Sequence, residues 1–127
     1  MLDFNEQMKK LKGVNGYLGA AILNKEGETL YLDEEGTNSD IAYSASVFND
    51  AFLEISESSI DIGFASTNML EARTKDGYVF IIKSVVGNDK TSQLTFFSIF
   101  KENGNVPLAK MVIDRSAIRI LSVIEEI

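Results

Sequence analysis

Residues Thr67 to Phe100 read TNMLEARTKDGYVFIIKSVVGNDKTSQLTFFSIF, and this stretch decides the fold. From Thr67 to Thr74 the pattern has period two, which marks a strand. Lys75-Asp76-Gly77 carries the Asp-Gly signal of a tight hairpin. Tyr78 to Val86 is so densely apolar that it reads as a central strand, covered on both faces. Gly87-Asn88-Asp89 turns the chain again, Gln93 to Phe100 forms the next strand, and Asn103-Gly104-Asn105 closes it. Strands joined by connections this short run antiparallel.

Upstream, Leu2, Phe4, Met8 and Leu11 recur at near-helical spacing, which predicts a short helix ending at Gly13. After the turn Gly13-Val14-Asn15-Gly16, Tyr17 to Leu23 and Thr29 to Leu32 form a strand pair around Asn24-Lys25-Glu26-Gly27, and Asp33 to Asn38 is a polar loop. Asn38 or Ser39 is placed to cap a helix whose first turn holds Asp40. Ile41, Ala45, Phe48, Phe52 and Ile55 follow as a continuous helical stripe, with Tyr43, Val47 and Ala51 on a flanking face. The helix is expected to fade at Glu57-Ser58-Ser59. Downstream, Pro107 suits a first helical turn, and Leu108, Met111, Val112, Ala117, Ile118, Leu121 and Ile124 give a closing helix its apolar face. The fold class is therefore α/β (α+β): one antiparallel sheet of about five strands with helices packed on it, in the order α-β-β-α-β-β-β-α.

The chain has 127 residues, the length of a single domain, and nothing in it resembles an interdomain linker. It contains neither cysteine nor histidine, so disulfides, thiolate metal sites and the usual neutral-pH base are excluded. A formal charge of −7 repels phosphate backbones and anionic membranes, which argues against nucleic-acid binding. No signal peptide or apolar run of membrane length is present, and a cytoplasmic location is expected.

The features that could carry chemistry resolve into ordinary ones. Gly13, Gly16 and Gly19 precede a strand, whereas a phosphate-cradling loop lies between a strand and a helix; a turn-and-packing role fits them better. Asp33, Glu34 and Glu35 lack the alternation and terminal glutamate of a calcium loop, so they read as a solvated loop. Glu54 and Glu57 have no apolar surroundings to raise a pKa, and Ser44, Ser46 and Ser84 have no histidine to activate them. No catalytic residue, cofactor site or metal site is expected.

The stretches Leu11-Lys12-Gly13-Val14-Asn15-Gly16-Tyr17, Ile22-Leu23-Asn24-Lys25-Glu26-Gly27, Asp76-Gly77-Tyr78-Val79-Phe80-Ile81-Ile82 and Phe97-Ser98-Ile99-Phe100 with Asn103-Gly104-Asn105 together resemble the Roadblock family, the dynein light-chain group. That resemblance covers nearly the whole chain. It implies a five-stranded sheet in a profilin-like sandwich, and a dimer that joins sheets edge to edge and sets the two central helices against each other. On this sequence it places the interface at Ile41, Ala45, Phe48, Phe52 and Ile55 of the helix and at Asn68, Leu70, Ala72 and Thr74 of an edge strand. It further implies a platform for small Ras-like GTPases, or a subunit of a motor or signalling complex. One bacterial branch is similar to the gliding-motility regulator that stimulates GTP hydrolysis by its partner.

The residues point the same way independently, because a helix with apolar residues on two faces has more to cover than one sheet supplies. Truncating Phe48 to alanine is accordingly expected to weaken dimerisation. Lys110, Arg115 and Arg119 on the last helix are candidates for meeting an acidic partner, against the simpler reading as a solvated face. An alternative in a different class is a sensor-type domain binding a small ligand between sheet and helix, with Tyr78, Phe80, Phe96 and Phe97 lining the pocket.

Overall fold

The computed structural model describes residues 3–88 and 92–125; Leu2 of the first helix and Asp89 of the second turn lie outside them. The elements are α1 (Phe4–Lys12), β1 (Tyr17–Asn24), β2 (Thr29–Asp33), α2 (Ile41–Asp61), β3 (Met69–Arg73), β4 (Tyr78–Val86), β5 (Gln93–Lys101) and α3 (Val106–Glu125). The order is the one the sequence predicts. All strands join one antiparallel sheet in the spatial order β2-β1-β5-β4-β3. The hairpins β1–β2 and β3–β4 and the β4–β5 turn are local, and the sheet is closed by the long-range pairing of β1 with β5.

Both faces of the sheet are covered, which is why its inner strands read as near-continuous apolar runs. Alternate residues serve opposite layers. Ala20, Ile22, Val79, Ile81, Phe96 and Phe100 meet α1 and α3 through Met8, Leu11, Ile113 and Ile120. Ala21, Leu23, Ile82, Phe97 and Ile99 form the other layer with Ile41, Ala45 and Phe52 of α2. The central position belongs to β5, where Leu94 to Phe100 are all buried, and β4 lies beside it.

Gly16, just before β1, and Gly19, within it, act in packing. Gly16 has φ +92°, and a Cβ there would stand 2.6 Å from the Cα of Gly104. This close approach lets the Gly16 carbonyl accept from the Lys101 N–H and the Asn15 carbonyl from the Asn105 N–H, which pins the start of β1 to the end of β5. At Gly19, a Cβ would come within 2.8 Å of the Asp33 carbonyl on the neighbouring strand.

Candidate protein-interaction surface

The start of α2 is fixed by two carboxylates. Asp40, and neither Asn38 nor Ser39, is the N-cap: its Oδ1 accepts from the Tyr43 N–H at 3.0 Å. Glu34 reaches from the preceding loop and accepts the Ile41 N–H at 2.7 Å. Both negative charges sit at the positive end of the helix dipole. The loop is therefore less solvated than its composition suggests. Asp33, at the end of β2, is buried and accepts from the Tyr17 hydroxyl at 2.6 Å, with the Lys12 ammonium 3.8 Å away. Burial, and then the bond to Asp33, push the Tyr17 phenol well above its ordinary pKa. Tyr31 is raised chiefly by burial and by the same carboxylate. Tyr17 is thus a neutral donor that offsets part of the cost of burying Asp33.

The other end of α2 runs further than the sequence pattern suggests, to Asp61. Its serines do not stop the helix; they tie the following loop back onto it. Ser56 Oγ accepts from the Thr67 N–H and Ser59 Oγ donates to the Ala65 carbonyl.

Along α2 the predicted stripe divides. Ile41, Ala45 and Phe52 are buried against the chain's own sheet, at 0%, 0% and 3% exposure, so these three side chains offer nothing to a partner. Phe48 is half-buried, its ring 4.8 Å from that of Phe80 and 5.3 Å from that of Phe97. Ile55 is exposed. The apolar surface that α2 leaves in water lies on its flanks: Tyr43 and Val47, then Leu53 and Ile60, continuing into Ile62 and Phe64 of the loop. Sequence reading singles out Tyr43 and Val47 but passes over the other four. Their signal is present, as large apolar residues on either side of a serine run that reads as a helix end.

The edge strand is β3. It pairs with β4 from Met69 opposite Lys83 to Arg73 opposite Val79, and no described strand covers its outer side. Leu70, Ala72 and Thr74 are half-buried and Asn68 is exposed. Exposed apolar helix and open strand edge thus belong to consecutive elements of the chain.

The basic residues of α3 separate in role. Lys110 pairs with Glu71 of β3 at 2.5 Å, and this bond first of all holds the Glu71 carboxyl below its ordinary pKa. Arg119 donates to Gln7 Oε1 at 3.1 Å and so fastens α3 to α1. Both have structural roles within the subunit. Arg115 is exposed.

A ligand pocket built from Tyr78, Phe80, Phe96 and Phe97 does not form, because adjacent strand residues point to opposite faces. Phe96 lies in the α1–α3 layer, whereas Phe97 and Phe80 lie under α2. An open cleft of about 590 Å³ lies at the N-terminal end of α2, lined in part by Thr37, Thr74, Asp76, Tyr78 and Phe80. Among the described residues no cluster of three potential metal ligands occurs, and no helix is long and apolar enough to cross a membrane.

Solved structures share this arrangement. The chain superposes on Myxococcus xanthus MglB with a TM-score of 0.78 and 14% identity, over 97% of this chain and 95% of that one. The gliding protein MglB from Thermus thermophilus gives a TM-score of 0.77 and 13% identity, over 96% and 88%. A Roadblock/LC7 domain from Streptomyces avermitilis gives 0.72 and 11%, over 98% and 97%. No family model matches the chain, and no curated protein matches it by sequence. The fold is that of the Roadblock/LC7 domain.

Proposed function

We propose that this chain is a non-catalytic, self-associating interaction module that regulates or scaffolds a small Ras-like GTPase, or a complex in motility or signalling. The observation that carries the reading is the pairing of an open β3 edge with exposed apolar side chains on α2, in a fold shared end to end with MglB. The self-association surface is the exposed part of α2, namely Tyr43, Val47, Leu53, Ile55 and Ile60, with the outer edge of β3 from Asn68 to Thr74. Covering several such side chains at roughly 25 cal/mol per Å² favours association by several kcal/mol after the entropic cost of joining two bodies. The formal charge of −7 keeps the module soluble while leaving this patch as its adhesive part.

The GTPase role draws on the Roadblock resemblance and on the likeness to MglB structures. It is tested by mixing the chain with Ras-like GTPases encoded beside its gene. Complex formation with a changed rate of GTP hydrolysis is the expected result; absence of both removes the regulatory role and leaves a scaffold.

A further inference from the structure

We infer that the outward face of α3, built from Leu108, Met111, Arg115 and Ile118, is a second docking surface, and that its occupant is an amphipathic helix of another protein with a carboxylate set between apolar residues. The inference stands apart from self-association through α2 and β3, because α3 lies in the opposite layer of the sheet.

Periodicity along α3 separates two stripes. Ala109, Ile113, Ala117 and Ile120 are wholly buried in the layer that α3 shares with α1. The sequence pattern counts Leu108, Met111 and Ile118 with the same apolar face, yet they stand 41%, 51% and 62% exposed. At about 100° of rotation per residue, Leu108, Met111, Arg115 and Ile118 all fall within about 40° of the direction opposite Ile113. Their spacings of three, four and three form the narrow seam that one helix offers to another. The core uses none of these side chains, and three large apolar ones in a single row exceed the scattered singles of an ordinary surface.

Charge identifies the occupant. Between positions 110 and 119, α3 carries Lys110, Asp114, Arg115 and Arg119. Lys110 is held by Glu71, Asp114 by Lys83 at 2.8 Å and Arg119 by Gln7 at 3.1 Å. Arg115, exposed in the middle of the seam, has no partner among the described residues. A helix laid along the seam covers this guanidinium, which then needs a carboxylate to offset the water it loses. Where α3 meets α1, a shallow hollow of about 320 Å³ is lined by Glu6, Gln7, Lys9, Lys10 and Arg119, so that three cations stand against one acid. In a chain of formal charge −7 this face is locally basic, and it favours an acidic partner.

A second copy of the chain does not supply what the seam lacks. Parallel pairing sets Arg115 beside Arg115. Antiparallel pairing with the apolar residues in register sets Arg115 against Met111 and leaves both guanidinium groups without an acid, since Asp114 is engaged by Lys83. An extended segment finds no backbone groups to pair on a helix, whereas a foreign helix interdigitates its side chains with the seam.

The probe is a phage-displayed library of helical peptides of about 18 residues, with leucine at the seam spacing and every other position randomised. It is panned on the full-length Val47→Lys chain, so that the α2 surface does not compete. The enriched peptides are expected to share one Asp or Glu between the leucines. Arg115→Glu should weaken their binding at least tenfold with an unchanged urea midpoint, and changing the peptide's acid to arginine should restore it. Met111→Ser should weaken binding at least tenfold as well. A library that yields no binder overturns the proposal, as do enriched peptides that lack an acid or bind Arg115→Glu undiminished. Peptides that bind Met111→Ser and Ile118→Ser as tightly as the parent place the surface elsewhere. Self-association that is weakened by Ile118→Ser but not by Val47→Lys assigns this face to a second copy, and that result also overturns the proposal.

Discussion

Phe48→Ala separates the inner and outer faces of α2 most sharply. The Phe48 ring stacks on Phe80 and Phe97 beneath the helix, so its loss acts first on the subunit's own core. Truncating a fully buried phenylalanine costs about 3–5 kcal/mol. Phe48 is half-buried, which reduces that figure to about 2 kcal/mol, and losing two ring pairs adds about 1 kcal/mol. The sum, about 3 kcal/mol, corresponds to a fall in melting temperature of roughly 10–15 °C, or in the urea midpoint of about 2 M. The assay is urea unfolding followed by far-UV circular dichroism, at protein concentrations low enough to hold the chain monomeric. An unchanged slope with a lowered midpoint is expected. A midpoint within experimental error of wild type would show that the aromatic stack does not stabilise the subunit. The expectation drawn from sequence, that this truncation acts on dimerisation, is thereby redirected to residues whose side chains the subunit leaves uncovered.

Val47→Lys, on the exposed flank, should shift the monomer's stability in urea by no more than about 0.5 kcal/mol yet abolish association detectable by light scattering; an undiminished dimer excludes Val47 from the interface. Gly16→Ala combines a left-handed backbone with a Cβ driven into Gly104, and a loss of at least about 2 kcal/mol in urea unfolding is expected. A neutral outcome there would contradict the close approach of the two turns. Lys110→Met tests the ion pair with Glu71. Because the folded-state pKa of Glu71 is lowered, its contribution is present above the ordinary carboxylate value of 4.5 and lost as pH falls through the lowered value. The variant should be less stable than wild type by about 1 kcal/mol at neutral pH, with the difference closing as Glu71 protonates. A difference that persists unchanged in acid would assign the effect to the lysine stem and not to the charge.

Much of the fold was legible because the signals were local and periodic. Asp76-Gly77 sits in the hairpin turn, and alternation in β3 and density in β4 and β5 report how many faces are covered. Less legible were features decided by tertiary placement. Glu34 looks like any loop acid until the fold brings it to the α2 N-terminus, where it accepts the Ile41 N–H. Asp33 looks solvated until Tyr17, sixteen positions away, supplies its hydroxyl. The serines at 56 and 59 weaken a helical pattern on paper but hold the loop that presents Phe64. For the candidate surface, periodicity identified α2 as oversupplied with apolar residues. It did not say which face the sheet would take, because a stripe of Ile, Ala and Phe suits either neighbour equally well. Lys110 and Arg119 were likewise visible as cations, while their partners Glu71 and Gln7 lie on elements remote in sequence.

The most direct measurement is sedimentation equilibrium of the wild-type chain across micromolar concentrations at physiological ionic strength. A reversible transition from one chain mass to twice that mass, lost in Val47→Lys, is the predicted result. A single species of one chain mass throughout, in a protein whose unfolding is cooperative, would contradict the claim that α2 and β3 present surface meant for a second chain.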